Sequence, residues 1–217
     1  MFNRANALFA REIDCADNTA IHFEGSEMSF ATLARQVRDM AGALLALGVR
    51  RGVHVGLLLP ASPEFIIVEQ ALFAIGAPIT PVNILYRPAE IAHAVDCCDL
   101  VFIVTTETLA STASTALPTS CRLLLIDTEA RSATGGSIPA ALAASAPLAE
   151  LAVVSASDPV FHLLTSATTG KAKGVILTAG NLAANYDRTP AWLGIDASDV
   201  ILCALPLYNT FGLNQCI

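Results

Sequence analysis

Apolar residues in this chain alternate between two rhythms. After Ser29, Phe30, Leu33, Val37, Ala41, Leu44 and Leu45 recur at helical spacing until Gly48 interrupts them. A continuous apolar run from Val53 to Leu59, closed by Pro60, then predicts a buried strand. The helical rhythm returns near Ser62, with Phe65, Val68, Leu72 and Ile75 on one face and Gly76 at the end. A short extended piece follows from Pro78 to Val82. The spacing predicts a helix over Pro88 to Cys97, with proline in its first turn, and strands over Leu100 to Val104 and Arg122 to Ile126. Farther on it predicts a strand from Pro159 to Thr165, a helix from Asn181 to Trp192 and a strand from Val200 to Leu205.

Strands interleaved with helices predict an α/β fold with a mainly parallel sheet flanked by helices. The stretch from Asp127 to Ser157 is rich in Ala, Ser and Gly and reads as a surface excursion with one short helix at Pro139 to Ala146. No internal repeat and no strong domain boundary appears. Hydrophobic residues make up 54% of the 217 positions and charged residues 14%, which favours strands buried on both faces.

The formal charge of -7 excludes general attraction to nucleic acid or anionic lipid. Any polyanion must therefore be held by a local feature. Cys15, Cys97, Cys98, Cys121, Cys203 and Cys216 form no C-x-x-C pair, so reduced thiols in a cytoplasmic protein are expected, with no metal site. No secretory signal is visible, and no apolar stretch reaches the roughly 20 residues of a membrane helix.

One segment carries chemistry: Thr165, Ser166, Ala167, Thr168, Thr169, Gly170, Lys171, Ala172, Lys173 and Gly174. It holds the only two lysines of the chain, and no Asp or Glu lies between Pro159 and Tyr186. Hydroxyls, ammonium groups and a glycine-rich backbone are what phosphate oxygens require; a solvated Ser/Thr/Lys turn would share that composition. The Walker pattern fails, because it needs Gly at 165 and Ser or Thr at 172, and no G-x-G occurs.

This segment resembles T-S-G-T-T-G-x-P-K-G, the phosphate-binding signature of the adenylate-forming superfamily, which includes the acyl-CoA synthetases. Further stretches match in the same order: Met28-Ser29-Phe30, Ala41 to Gly52, Leu59-Pro60-Ala61-Ser62-Pro63-Glu64-Phe65, Ala74 to Asn83, and Leu205-Pro206-Leu207-Tyr208-Asn209-Thr210-Phe211-Gly212. Together they span about Asn6 to Ile217. The resemblance implies residues 1–217 as a partial N-terminal adenylation (AMP-binding) domain, with the C-terminal domain absent. It implies an ATP-dependent ligase that forms an acyl-adenylate and then an acyl thioester; fatty, aryl and amino acids are all open as substrates, with a fatty or related organic acid favoured because Leu205 to Gly212 resembles the acyl-CoA synthetases.

By the same resemblance, ATP with Mg²⁺ and coenzyme A are co-substrates, and a small carboxylate is the partner. Thr165, Ser166, Thr168, Thr169, Gly170 and Lys173 would embrace the β- and γ-phosphates. Ala167 and Gly174 complete the loop, and Lys171, at a variable position, adds charge. Tyr208, Asn209 and Gly212 are candidates for the substrate pocket. No complete catalytic set is expected, and the isolated chain is expected to be inactive. Ala167 and Ala172 replace the signature's glycine and proline, and Asn209 replaces a histidine. These departures support the alternative of a truncated, non-catalytic relative that binds nucleotide or a protein partner.

Overall fold

The computed structural model describes residues 2–115, 117–127, 135–165, 172–196 and 198–216, without the side chains of 135 and 214–216. Helix α1 (Ala5–Asp14) leads into a small antiparallel hairpin, β1 (Thr19–Phe23) and β2 (Ser26–Ser29). Helix α2 (Phe30–Ala46) starts where Ser29 Oγ accepts the Thr32 N–H at 3.2 Å, and it buries Leu33, Val37, Met40, Ala41 and Leu44. Strand β3 (Val55–Leu58) is buried at every position, as its uninterrupted apolar run predicts.

Helix α3 (Pro63–Ile75) has Pro at its first turn and ends at Gly76, whose φ of 77° is the left-handed cap that glycine adopts without strain. It is buried on nearly all sides, because it packs on α2 and α1. Strand β4 (Ile79–Pro81), helix α4 (Pro88–Cys98), strand β5 (Phe102–Thr105), helix α5 (Glu107–Ser114) and strand β6 (Arg122–Leu125) continue the alternation. Next come β7 (Gly135–Ser137), α6 (Ile138–Ala144), β8 (Pro159–Leu164), β9 (Gly174–Thr178), α7 (Ala179–Tyr186), α8 (Thr189–Leu193) and α9 (Thr210–Cys216).

The main sheet runs β7-β6-β5-β3-β4-β8-β9, parallel throughout except for the last pair. This is the expected α/β architecture. One hydrophobic cluster joins α1, α2, α3 and α6 to one face of the sheet, and a second seats α4 and α5 on Leu58, Val82 and Ile103.

Three expectations change. Residues 127–157 are no mere excursion: β7 extends the sheet and α6 packs against α2, while 128–134 lie outside the described residues. The helix expected over 181–192 is two helices. Pro190 has no N–H to give the Tyr186 carbonyl one turn back, so α7 stops at Tyr186. The strand expected over Val200 to Leu205 does not form; among the described residues it has no ladder partner.

Candidate functional site

The chemistry-bearing segment is the connection of an antiparallel hairpin. Strand β8 is held on one side by β4, where Ile79 pairs with Phe161. On its other side β9 runs back along it, from Leu164 opposite Gly174 to Pro159 opposite Thr178. At the mouth, the Thr165 N–H donates to the Lys173 carbonyl at 2.9 Å, and the Lys173 N–H donates to Thr165 Oγ1 at 3.0 Å. Both residues are exposed. Ser166, Ala167, Thr168, Thr169, Gly170 and Lys171 lie outside the described residues. Of the expected phosphate-binding set, the structure places Thr165, Lys173 and Gly174 together at the open end of β8 and β9.

Gly174 has no backbone need to be glycine. A Cβ there would lie 3.5 Å from Cys97 Sγ and 3.6 Å from the Cys97 carbonyl oxygen, which is ordinary contact. Helix α4 thus lies directly against the outgoing limb. His93 Nε2 is 2.7 Å from the Ala172 carbonyl oxygen, and since a carbonyl only accepts, the ring nitrogen donates. The sequence reading did not single out His93; its only sequence signal is a polar residue one turn before Cys97.

An imidazole pair lies at the C-terminal end of α4. His54 Nδ1 donates to the Cys98 carbonyl at 2.8 Å, and its ring meets His162 edge-on at 4.3 Å. His162 lies on β8 with Nε2 buried and unpartnered; burial, then the neighbouring His54, pushes its pKa down.

The turn at 205–213 is anchored by Leu207 and Leu213 in the main core. Asn209 Oδ1 accepts the Phe211 N–H at 3.0 Å, so this side chain caps α9. Gly212 is required by close approach: a Cβ there would fall 2.3 Å from the Pro206 carbonyl oxygen. Tyr208 is half-buried. Among the described residues no hydrogen bond joins this turn to the hairpin, but Leu207 and Leu213 share the main hydrophobic cluster with Val160, Phe161 and Leu163 of β8. The small cavity lined by Asn3, Arg4, Phe73, Gly76 and Asp158, about 20 Å³, lies beside the start of β8 and includes none of them.

No group of three or more His, Cys, Asp or Glu side chains among the described residues is placed to hold a metal ion. None of their helices is long and apolar enough to cross a membrane.

A family model described as AMP-binding enzyme matches residues 10–217, which include both the hairpin and the 205–213 turn. The chain belongs to the AMP-binding enzyme family. A 4-coumarate–CoA ligase of Oryza sativa subsp. japonica is 31% identical over 202 residues, covering 88% of this chain and 36% of that protein. A benzoate CoA ligase of Burkholderia xenovorans LB400 has the same fold, with a TM-score of 0.86 at 24% identity, over 99% of this chain and 42% of its own. The o-succinylbenzoate CoA synthetase of Bacillus subtilis, solved with an acyl-adenylate intermediate, superposes with a TM-score of 0.81 at 23% identity, over 97% of this chain and 52% of its own. This AMP-binding chain therefore spans well under two thirds of the length of these relatives.

Proposed function

We propose that this chain is the N-terminal part of an ATP-dependent carboxylate–CoA ligase, and that its β8–β9 hairpin grips the β- and γ-phosphates of ATP. The observation that carries the reading is that the only two lysines of the chain sit in one hairpin connection without a single neighbouring carboxylate in sequence. Membership of the AMP-binding family supports it.

The described residues fit a polyphosphate. Lys173 brings an exposed ammonium group to the mouth. Thr165 Oγ1 accepts from the backbone and keeps its own proton to donate. Ser166, Ala167, Thr168, Thr169, Gly170 and Lys171 complete the proposed grip. In this reading Mg²⁺ arrives with the nucleotide. The hairpin's part in adenylation is to fix the leaving pyrophosphate in line and hold its growing charge. Tyr208, Asn209 and Gly212 belong to the carboxylate side, and a fatty or related organic acid is the proposed substrate in a cytoplasmic setting. Adenine recognition and thioester formation fall to residues outside this chain.

The test is titration of the chain with magnesium ATP and with magnesium tripolyphosphate, the latter isolating the phosphate contacts. Both are expected to bind, with Lys173→Ala weakening each about tenfold, the range of a charge-assisted contact. Absence of binding, or binding indifferent to Lys173, overturns the reading. Acid-dependent ATP–pyrophosphate exchange by the chain alone is expected to be nil.

A second reading, a non-catalytic nucleotide binder, draws on Asn209, whose amide oxygen is already engaged as the α9 cap. It predicts phosphate binding but no exchange activity even after fusion to the remaining portion of a family ligase.

A further inference from the structure

The hairpin does not stand alone at its mouth, because α4 lies along its outgoing limb. His93 and Cys97 are one helical turn apart, and they meet Ala172 and Gly174, which are two strand residues apart. The spacings match: four helical residues rise about 6 Å and two strand residues about 6.6 Å. Cys97 Sγ also approaches the Ala172 carbonyl oxygen, at 4.0 Å, so both α4 side chains converge on this part of the limb.

The helix that makes these contacts is itself fixed. Ile91, Val95 and Cys98 are buried against Leu58, Val82, Leu100 and Ile103. The Cys98 carbonyl at its last turn is taken by His54 Nδ1. Pro88 and the Arg87 N–H, which donates to the Glu90 carboxylate, set its start.

Across the interface, the first limb contact is directional. The Ala172 carbonyl points at a ring N–H, and the next residue is Lys173. A carbonyl fixed at 172 fixes the peptide plane that follows it, because the peptide unit is rigid, and so fixes the Lys173 N and Cα from which the side chain departs. Without that donor, the limb would be held at its mouth by the two Thr165–Lys173 bonds and by the weak thiol contact of Cys97 Sγ with the same carbonyl, at 4.0 Å.

We propose that His93 is a positioning residue for phosphate binding: its Nε2–H holds the Ala172 carbonyl so that Lys173 is presented to the polyphosphate in one orientation. The inference rests on the phosphate-binding reading of the hairpin and deepens it by assigning a residue outside the signature.

Two variants separate the donor from the ring. His93→Phe keeps a planar ring and removes the N–H, whereas His93→Gln places an amide N–H near the Nε2 position. Where the Phe variant does not fold, His93→Leu replaces it. Amide hydrogen exchange at Thr165 and Lys173, measured without nucleotide, is expected to be about tenfold faster in His93→Phe and unchanged in His93→Gln. Magnesium tripolyphosphate affinity is expected to fall about tenfold in His93→Phe and within about twofold of wild type in His93→Gln. Lys173→Ala serves as the control.

Unchanged exchange in His93→Phe overturns the proposal whether or not phosphate binds. Faster exchange with unchanged affinity also overturns it, leaving a purely structural bond while the phosphate reading stands. Loss of phosphate binding by the wild type removes the reading and the proposal together. Equal losses in the Phe and Gln variants show that the ring, rather than the donor, matters, and overturn the proposal as stated.

Discussion

The middle and the β9 edge of the main sheet obey opposite rules. In the middle, β3 and β5 are buried at every position, with α4 and α5 on one face and α2, α3 and α6 on the other. At the far edge, β9 is largely exposed, and beyond it Trp192, Val200 and Leu202 are 82%, 80% and 81% exposed. The central strands are apolar because neighbours cover them. Residues 192–205 are as apolar in sequence, yet among the described residues no neighbours cover them. Hydrophobic pattern alone therefore does not distinguish a filled core from an unfilled face. The candidate phosphate hairpin sits at the boundary between these regions.

This contrast can be broken most directly by truncating one large side chain from each region. Phe65, fully buried in α3, should cost about 3–5 kcal/mol when replaced by alanine. Trp192→Ser should stay within about 0.5 kcal/mol. Denaturant unfolding of both variants checks this; comparable losses would mean that the exposed face is covered in solution.

A smaller effect should come from Glu69, which is fully buried among these side chains with neither carboxyl oxygen hydrogen-bonded. Desolvation pushes its pKa well up. Its folded-state pKa lies above the unfolded value, so the folded state binds more protons and stability falls as pH rises from about 4.5 toward the folded pKa. Glu69→Gln should therefore stabilise the chain at pH 8, on the order of 1–3 kcal/mol, and lose that advantage near pH 4. A pH series of thermal melts decides the matter; an equal effect at both pH values would show that ionisation is irrelevant.

The smallest effect concerns Asp158, at the start of β8. Its carboxylate accepts from Ser155 and pairs with Arg51 at 2.7 Å, and these contacts, the Ser155 hydroxyl first, lower its pKa to about 2. The stabilisation is fully present above the unfolded value near 3.8 and is lost as pH falls through about 2. Because Arg51 is more than half exposed, Arg51→Ala should cost only about 0.5 kcal/mol, less at high salt.

Much of the buried half was legible in sequence. Ser29 announces α2 with its own cap, Gly76 ends α3, and the runs at Val53 and Leu100 read as strands because both faces of each are covered. What escaped was set by tertiary neighbours. Strand β9 is five residues long and exists because β8 offers it a ladder. Residues 200–205 have similar composition and no ladder partner among the described residues, so they remain outside any strand. At the candidate site, the composition of 165–174 stood out within an acidic chain. His93 did not, because nothing in a sequence reveals that a residue 79 positions away in the chain will face Ala172. Asn209 also caps α9 through its amide oxygen, a local role that its place in the motif does not reveal.

The hydroxyl of Thr165 has a consequence for how the hairpin mouth responds to charge. Its oxygen receives the Lys173 amide while its hydrogen stays available to another acceptor. An anion that took this hydrogen would leave the oxygen more electron-rich and a stronger partner for the amide, since linked hydrogen bonds polarise one another. Occupancy would then tighten the two strands that frame it, and a valine at 165 would remove the sensor and the clasp in a single change.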